Sequence, residues 1–112
     1  MKQPHLNRKL VLEAPSLVPD GAGGFTQGWQ PSGTLWASVE GRAGRETRVG
    51  DAGVSRMSYR IIVRAAPVGS AQRPSPDQRF REGARVFVIR AVAERDPAGR
   101  YLTCFADEEV AA

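Results

Sequence analysis

The amino-acid sequence predicts an all-β fold, a small antiparallel β-barrel or sandwich of about six strands with one long inter-strand loop. Short segments rich in β-branched and aromatic residues show the apolar alternation of strands, and clusters of glycine and proline separate them. No segment shows the strong apolar period of an amphipathic helix. Short strands joined by such turns are typical of sandwiches and small barrels.

The first three predicted strands lie in the N-terminal part of the chain. They cover residues 8–13, 25–29 and 35–40. The stretch 15–24 is rich in Pro, Asp and Gly, which supply the dihedral angles of tight turns. A second such segment, residues 31–33, predicts a turn between the second strand and the third.

The fourth predicted strand, residues 57–65, is the longest regular alternation among these segments. Its apolar face carries Met57, Tyr59, Ile61 and Val63. Its other face carries Ser58, Arg60, Ile62 and Arg64. Because side chains alternate across a strand, we expect the first face to join the core and the second to be solvated or paired on one side.

The last two predicted strands form a hairpin. A proline-rich loop, residues 67–76, precedes them, and Phe80 after this loop is expected to insert into the core. The fifth strand covers residues 85–94 and the sixth covers residues 101–106. Between them, the segment 96–99 (Asp-Pro-Ala-Gly) predicts a compact turn, so we expect these two strands to pair.

Length and charge limit the kinds of protein that this chain can be. A length of 112 residues predicts a single domain, residues 1–112. The net charge is +4, and fourteen of the sixteen basic residues are arginine. Such a surplus suits contact with nucleic acid or with an acidic protein surface, but a GC-rich genome produces the same bias without selection for binding. Both interpretations stay open.

The sequence offers neither a membrane span nor a secretion signal. No apolar stretch approaches the roughly 20 residues of a membrane span. The N-terminus lacks the apolar segment of a signal peptide. We therefore expect no membrane partner and synthesis in the cytoplasm.

No constellation of residues predicts catalysis. His5 and Cys104 lie at opposite ends of the chain, and Cys104 sits in an apolar run where a free cysteine behaves as a small buried hydrophobe. The spacings of metal-ligand motifs are absent from the sequence. We therefore expect no enzyme activity, no metal and no cofactor.

Large aromatic residues predict the anchors of the core. These anchors are Trp29, Trp36, Tyr59, Phe87 and Tyr101. Core packing is the favoured role because large aromatics dominate small cores. In the alternative, Trp29 and Trp36 stack on single-stranded bases, and the chain is a stand-alone nucleic-acid-binding β-barrel.

The segment 41–56 is the feature most indicative of function. It contains four glycines and four arginines but only two bulky apolar residues, Val49 and Val54, so it cannot contribute much to a core. Long loops inside compact domains are uncommon and tend to be functional or disordered. We expect an irregular projecting loop, with at most a helical turn around residues 45–49.

Several segments in order resemble the head–tail joining proteins of tailed phages. They are the N-terminal strand, Asp20-Gly-x-Gly-Gly24, Trp29, residues 35–40, Gly44-Arg-Glu46, residues 59–64, residues 83–89 and residues 101–104. The arginine-rich texture and the opening at residues 7–15 are similar to the versions found in gene transfer agents, which are phage-derived particles of some bacteria.

This resemblance implies a structural neck component, the head-closure or stopper protein of a virion or phage-like particle made in a bacterial cytoplasm. Its implied partners are further copies in a six- or twelve-fold ring, a portal or adaptor protein, tail terminator or other tail proteins, and non-specifically bound double-stranded DNA. The implied channel-gating residues are Arg42, Arg45, Glu46, Arg48 and Asp51. The expected subunit or partner contacts are Arg60, Arg64, Asp107, Glu108 and Glu109.

Overall fold

A computed structural model describes residues 3–41, 45–49 and 52–109, of which 45–49 and 52–56 are described by their backbone. These residues form eight β-strands and no helix, so the all-β prediction is confirmed. The strands are β1 (Arg8–Pro19), β2 (Phe25–Gly41), β3 (Arg45–Val49), β4 (Ala52–Arg56), β5 (Ser58–Arg64), β6 (Arg79–Glu82), β7 (Arg85–Glu94) and β8 (Tyr101–Glu109).

Six of the strands close into an antiparallel barrel. Their order around the barrel is β1-β2-β5-β8-β7-β6, and β3 and β4 form a separate two-stranded sheet. The predicted β7–β8 pairing is confirmed, and Gly99 N donates to the Asp96 carbonyl oxygen across the connecting turn at 2.9 Å. The Asp96 carboxylate also accepts from the backbone N–H groups of Arg100 and Tyr101.

The predicted turn at residues 31–33 is wrong, because β2 runs through it without a break. Leu12 pairs with Gly33 and Glu13 pairs with Pro31, so Ser32 is an extra residue in a β-bulge. Gly33 has a φ of +153°, and a Cβ there would lie 3.2 Å from the Gln72 side chain. Pro31 lies directly beside this bulge, a position at which a strand tolerates proline.

The sequence did not predict β6 as a strand, since its four residues have one apolar side chain, Phe80, between two arginines and so show little alternation. It pairs on one side with β1 and on the other with β7. Phe80, in its middle, is fully buried in the core as predicted. Because β6 is the link between β1 and β7, this short strand closes the barrel.

The core fills the inside of the barrel. Its members are Leu10, Leu12, Ala37, Ile61, Val63, Phe80, Phe87, Ile89, Leu102, Cys104 and Ala106. The expected burial of Cys104 is confirmed, and this burial raises the pKa of its thiol to about 12. Met57 does not join the core as predicted: it lies between β4 and β5 and is 37% exposed.

Ion pairs join β1 to β6 along the line where these two strands close the barrel, which we call the seam. The Glu13 carboxylate, 6% exposed, accepts from Arg79 Nε at 2.7 Å and from Arg81 Nε at 3.1 Å. Near the other end of β6, Arg8 donates to Glu82 in a two-contact ion pair. Burial raises the pKa of Glu13, but the hydrogen bonds from both arginines outweigh it and the pKa is lowered.

Beyond the seam, β1 and β2 extend as a two-stranded arm, residues 14–19 and 25–30. In the described structure these residues pair with each other and with no other strand. Asp20 Oδ1 closes the tip by accepting from the backbone N–H groups of Ala22 and Gly24, at 2.8 and 3.0 Å. Leu17 is 72% exposed. The arm therefore lies outside the core.

We predict that Glu13→Gln destabilises the barrel by about 2 kcal/mol, because a buried carboxylate with two charge-assisted hydrogen bonds is lost. Urea unfolding monitored by tryptophan fluorescence measures the change. The control is Arg100→Gln, since Arg100 pairs with Asp96 but its side chain is 77% exposed. The control is expected to cost less than about 0.5 kcal/mol. Equal losses in the two variants would contradict the structural role of Glu13.

We also predict that acid weakens the seam. Hydrogen bonding from Arg8 lowers the pKa of Glu82, and the pKa of Glu13 is lowered as well, both from an ordinary value of 4.5. Groups with a lowered pKa stabilise the folded state above the unfolded-state pKa, and this stabilisation is lost as the pH falls through the folded-state pKa. The urea midpoint should therefore fall on acidification below about pH 4.5, and fall less in Glu13→Gln. A pH dependence unchanged by that substitution would contradict the prediction.

Candidate functional site

The segment 41–56 leaves the barrel between β2 and β5 and contains the β3–β4 hairpin. The backbone register pairs Arg45 with Arg56 at the base and Val49 with Ala52 toward the tip. The expected irregular loop, with its optional helical turn at 45–49, is therefore wrong for the described part of this segment. Two short strands satisfy each other's backbone N–H and C=O groups, which glycine weakens but does not prevent.

The predicted gating residues divide into two groups. Arg45, Glu46 and Arg48 lie in β3, where the register places them opposite Arg56, Ser55 and Gly53. The other two, Arg42 and Asp51, lie outside the described residues.

The root of the hairpin is built into the barrel wall. Tyr59, the second residue of β5, pairs with Gly41 at the end of β2 and with Ala106 on β8. Glu108 N donates to the Met57 carbonyl oxygen at 2.9 Å. Cα atoms of β4 come within 8 Å of β8. The hairpin therefore starts from a point where three strands meet.

A charged cluster fixes this root. Arg85 donates to Glu108 through Nε at 2.7 Å and Nη2 at 3.1 Å, and Nη2 also contacts the Tyr59 hydroxyl at 3.3 Å. The Tyr59 hydroxyl donates to Glu108 Oε1 at 3.1 Å. The hydrogen bond from Arg85, and to a smaller extent that from Tyr59, lowers the pKa of Glu108 and keeps it ionised. The Tyr59 ring packs edge-on against Phe87 with centroids 5.2 Å apart.

The acidic residues near the end of the described chain belong to β8. Asp107 accepts from Ser58 Oγ at 2.9 Å and from Arg90 Nε at 3.3 Å. Together with Glu108, it is thus engaged within the subunit, because β8 extends three residues beyond its predicted end. Glu109 closes the strand and is exposed. Of the predicted contact residues on β5, Arg60 and Arg64 are both exposed.

Of the five aromatic residues predicted as core anchors, only Phe87 is fully buried. Tyr59 is partly buried and packs against the core. Trp29 and Tyr101 are partly buried outside the core cluster, and Arg79 lies 4.1 Å from the centroid of the Trp29 ring. The prediction is wrong for Trp36, which is 56% exposed.

The exposed Trp36 lines an open cleft of about 510 Å³ that sequence reasoning missed. The lining residues are Gln3, Pro4, Leu6, Trp36, Arg64 and Tyr101. The Arg64 guanidinium lies 5.8 Å from the centroid of the Tyr101 ring. A signal for this site existed in the sequence: Leu35 and Ala37 point inward, so alternation places Trp36 on the outer face.

The features described above are projecting or exposed surfaces. Within the described ranges, no group of three or more His, Cys, Asp or Glu side chains is arranged to hold a metal ion. Over the same part of the chain, no helix is long and apolar enough to span a membrane. The functional features are a hairpin on a fixed root, an apolar arm and an aromatic cleft.

Comparison with known proteins identifies the family. The family model described as phage head completion protein matches residues 1–109. A chain from the structure titled "Virion of native gene transfer agent (GTA) particle" is 55% identical, with a TM-score of 0.85 over 98% of this chain and 100% of that chain. No curated protein matches. The resemblance inferred from the sequence is thus confirmed, and the chain belongs to the phage head completion protein family.

Proposed function

We propose that this protein is a structural neck component of a gene transfer agent or a related phage-like particle. In this role it forms a ring between the portal or adaptor and the tail, closes the DNA channel and permits the tail to attach. Family membership and the 55% identity to a chain of a gene transfer agent virion support a virion head–tail role. Head completion proteins are structural, and the site described above has the features of an assembly protein.

The separation of the β3–β4 hairpin from the barrel is the observation that carries the proposal. The hairpin is a sheet of its own, yet its root is held by the Arg85–Glu108–Tyr59 cluster. A projection on a fixed root keeps a defined direction, which an irregular loop would not. In a ring, six or twelve such hairpins directed at the axis would narrow the channel.

The charge of the segment 41–56 suits this position. It contains four arginines and two acidic residues, a net charge of +2. Charged groups lining a channel contact DNA phosphates without reading the base sequence. The proposed DNA contact is accordingly weak and salt-sensitive. Tight, sequence-specific binding to free DNA would contradict it.

We predict that replacing residues 45–56 with a short Gly-Ser linker leaves the barrel folded but impairs head closure. The hairpin pairs with no barrel strand, so the unfolding midpoint should change little. Particles from the producing strain should lose packaged DNA several-fold, measured as nuclease-protected DNA and as filled heads in electron micrographs. Normal DNA retention and tail joining would contradict the gating role.

Charge variants provide the matched control for the hairpin. Arg45→Gln with Arg48→Gln removes two positive charges, whereas Arg45→Lys with Arg48→Lys keeps both. We expect particles with the two glutamine substitutions to leak DNA and particles with the two lysine substitutions to retain it. The reason is that phosphate contact depends on charge rather than on guanidinium geometry. Equal retention in the two pairs would show that hairpin charge does not act on DNA.

We predict that Glu108→Gln loosens the hairpin root and destabilises the protein by about 1 kcal/mol, because the ion pair with Arg85 becomes a hydrogen bond from Arg85 to a neutral amide. Hydrogen exchange should accelerate across residues 45–59. The control is Arg90→Gln, which breaks the more exposed pair with Asp107; the Arg90 side chain is 54% exposed. Faster hairpin exchange in the control, or none in Glu108→Gln, would contradict the role of the cluster.

A further inference from the structure

Exposed apolar side chains concentrate at two places on the molecule, the arm and the cleft. In the described part of the chain, four of the six exposed large apolar residues lie there. They are Leu17, Val18, Phe25 and Trp36. Contiguous apolar surface of this kind marks an interaction site rather than ordinary protein surface.

The arm presents an apolar ridge that ends in a negative charge. Leu17 pairs with Gln27 and Pro19 pairs with Phe25, so Leu17 and Phe25 share one face of the ladder. They are 72% and 65% exposed. At the tip, Asp20 is exposed, and the hydrogen bonds from the backbone N–H groups of Ala22 and Gly24 lower its pKa and keep it ionised.

The cleft offers the complement to this ridge. Its walls combine the Trp36 and Tyr101 rings with the exposed guanidinium of Arg64. Leu6 and Pro4 of the N-terminal segment form its apolar side. A cleft of about 510 Å³ has room for more than one bulky side chain. An apolar ridge that ends in a carboxylate therefore complements the cleft in polarity, size and charge.

A subunit cannot fill its own cleft with its own arm. Lys9 pairs with Trp36 beside the cleft, and Pro19 pairs with Phe25 at the arm tip, on the same continuous ladder. The ten residue-to-residue steps from Lys9 to Pro19 span about 33 Å at roughly 3.3 Å per step. The occupant must therefore be another molecule.

We infer that the occupant is a second copy of this chain, with the arm of one subunit in the cleft of the next. Leu17 and Phe25 pack on Trp36, and Asp20 pairs with Arg64 of the neighbour. The two surfaces are different patches, so the contact is heterologous and closes into a ring when the rotation allows. This inference rests on the proposed ring and names the contact that builds it.

Cysteine cross-linking in purified particles tests the contact. Ala22→Cys lies at the arm tip and Gln3→Cys on the cleft wall, and both native residues are exposed. The natural Cys104 is buried with a pKa of about 12, so it does not compete. With a mild added oxidant, which accepts the two electrons released by each thiol pair, the double variant is expected to give a ladder of multimers in denaturing gels. Each single variant should stay monomeric.

The matched control pairs Ala22→Cys with Val68→Cys, since Val68 is 86% exposed but does not line the cleft. This control is expected to give no ladder. Closed, tailed particles whose Ala22/Gln3 double variant stays monomeric would overturn the inference and leave the proposed function standing. Particles that lack the protein would instead overturn the proposed function. Single-stranded oligonucleotide binding that is lost in Trp36→Ala, without a ladder, would assign the cleft to nucleic acid and overturn the inference.

A double-mutant cycle tests the charge pair without cysteines. Asp20→Asn keeps the oxygen that accepts from Ala22 and Gly24 but removes the charge, and Arg64→Gln removes its partner. Each should lower the yield of tailed particles several-fold, and the double variant should be no worse than either single one, since both remove the same contact. If the double variant lowered the yield of tailed particles by the product of the two single losses, the proposed Asp20–Arg64 pairing would be overturned.

Discussion

The barrel depends on one short contact, the pairing of β6 with β1. Only three residue pairs join these strands, yet without them the six strands would form an open sheet with β1 and β6 at its edges. Phe80 holds β6 from inside by full burial. Glu13 holds it from outside through Arg79 and Arg81. Backbone pairing, apolar burial and a buried carboxylate with two partners thus act on the same four residues, which is why so short a strand can close the fold.

The length of β2 explains how two segments, the arm and the β3–β4 hairpin, extend from one barrel. At 17 residues, it spans about 56 Å if fully extended, and the longest dimension of the molecule is 51 Å. Its first half forms the arm, its second half forms the barrel wall, and Gly41 at its end leads to the hairpin. The two projections therefore lie at opposite ends of the same strand.

Arginine has a structural use in this protein that composition alone does not reveal. Six arginines form ion pairs with carboxylates of the described chain; they are Arg8, Arg79, Arg81, Arg85, Arg90 and Arg100. The Arg85 guanidinium also lies over the Phe87 ring, 4.9 Å from its centroid. Much of the surplus arginine thus joins neighbouring strands, because its planar fork can bond a carboxylate and cover a ring together.

The sequence by itself determined the fold class and the β7–β8 hairpin, because these depend on local alternation and turn residues, and its ordered segments resembled the family that the comparison confirmed. It also placed Phe80 and Cys104 in the core correctly. The tertiary structure alone decided three other matters. Pro31 lies within a continuous strand because a bulge opposite Glu13 accommodates it. The cleft beside Trp36 exists because the barrel brings Arg64 of β5 and Tyr101 of β8 next to it, and Glu108 meets Tyr59 because β5 pairs with β8. Each depends on residues distant in the chain, and local pattern carries no information about which strands pair when they are not joined by a short turn.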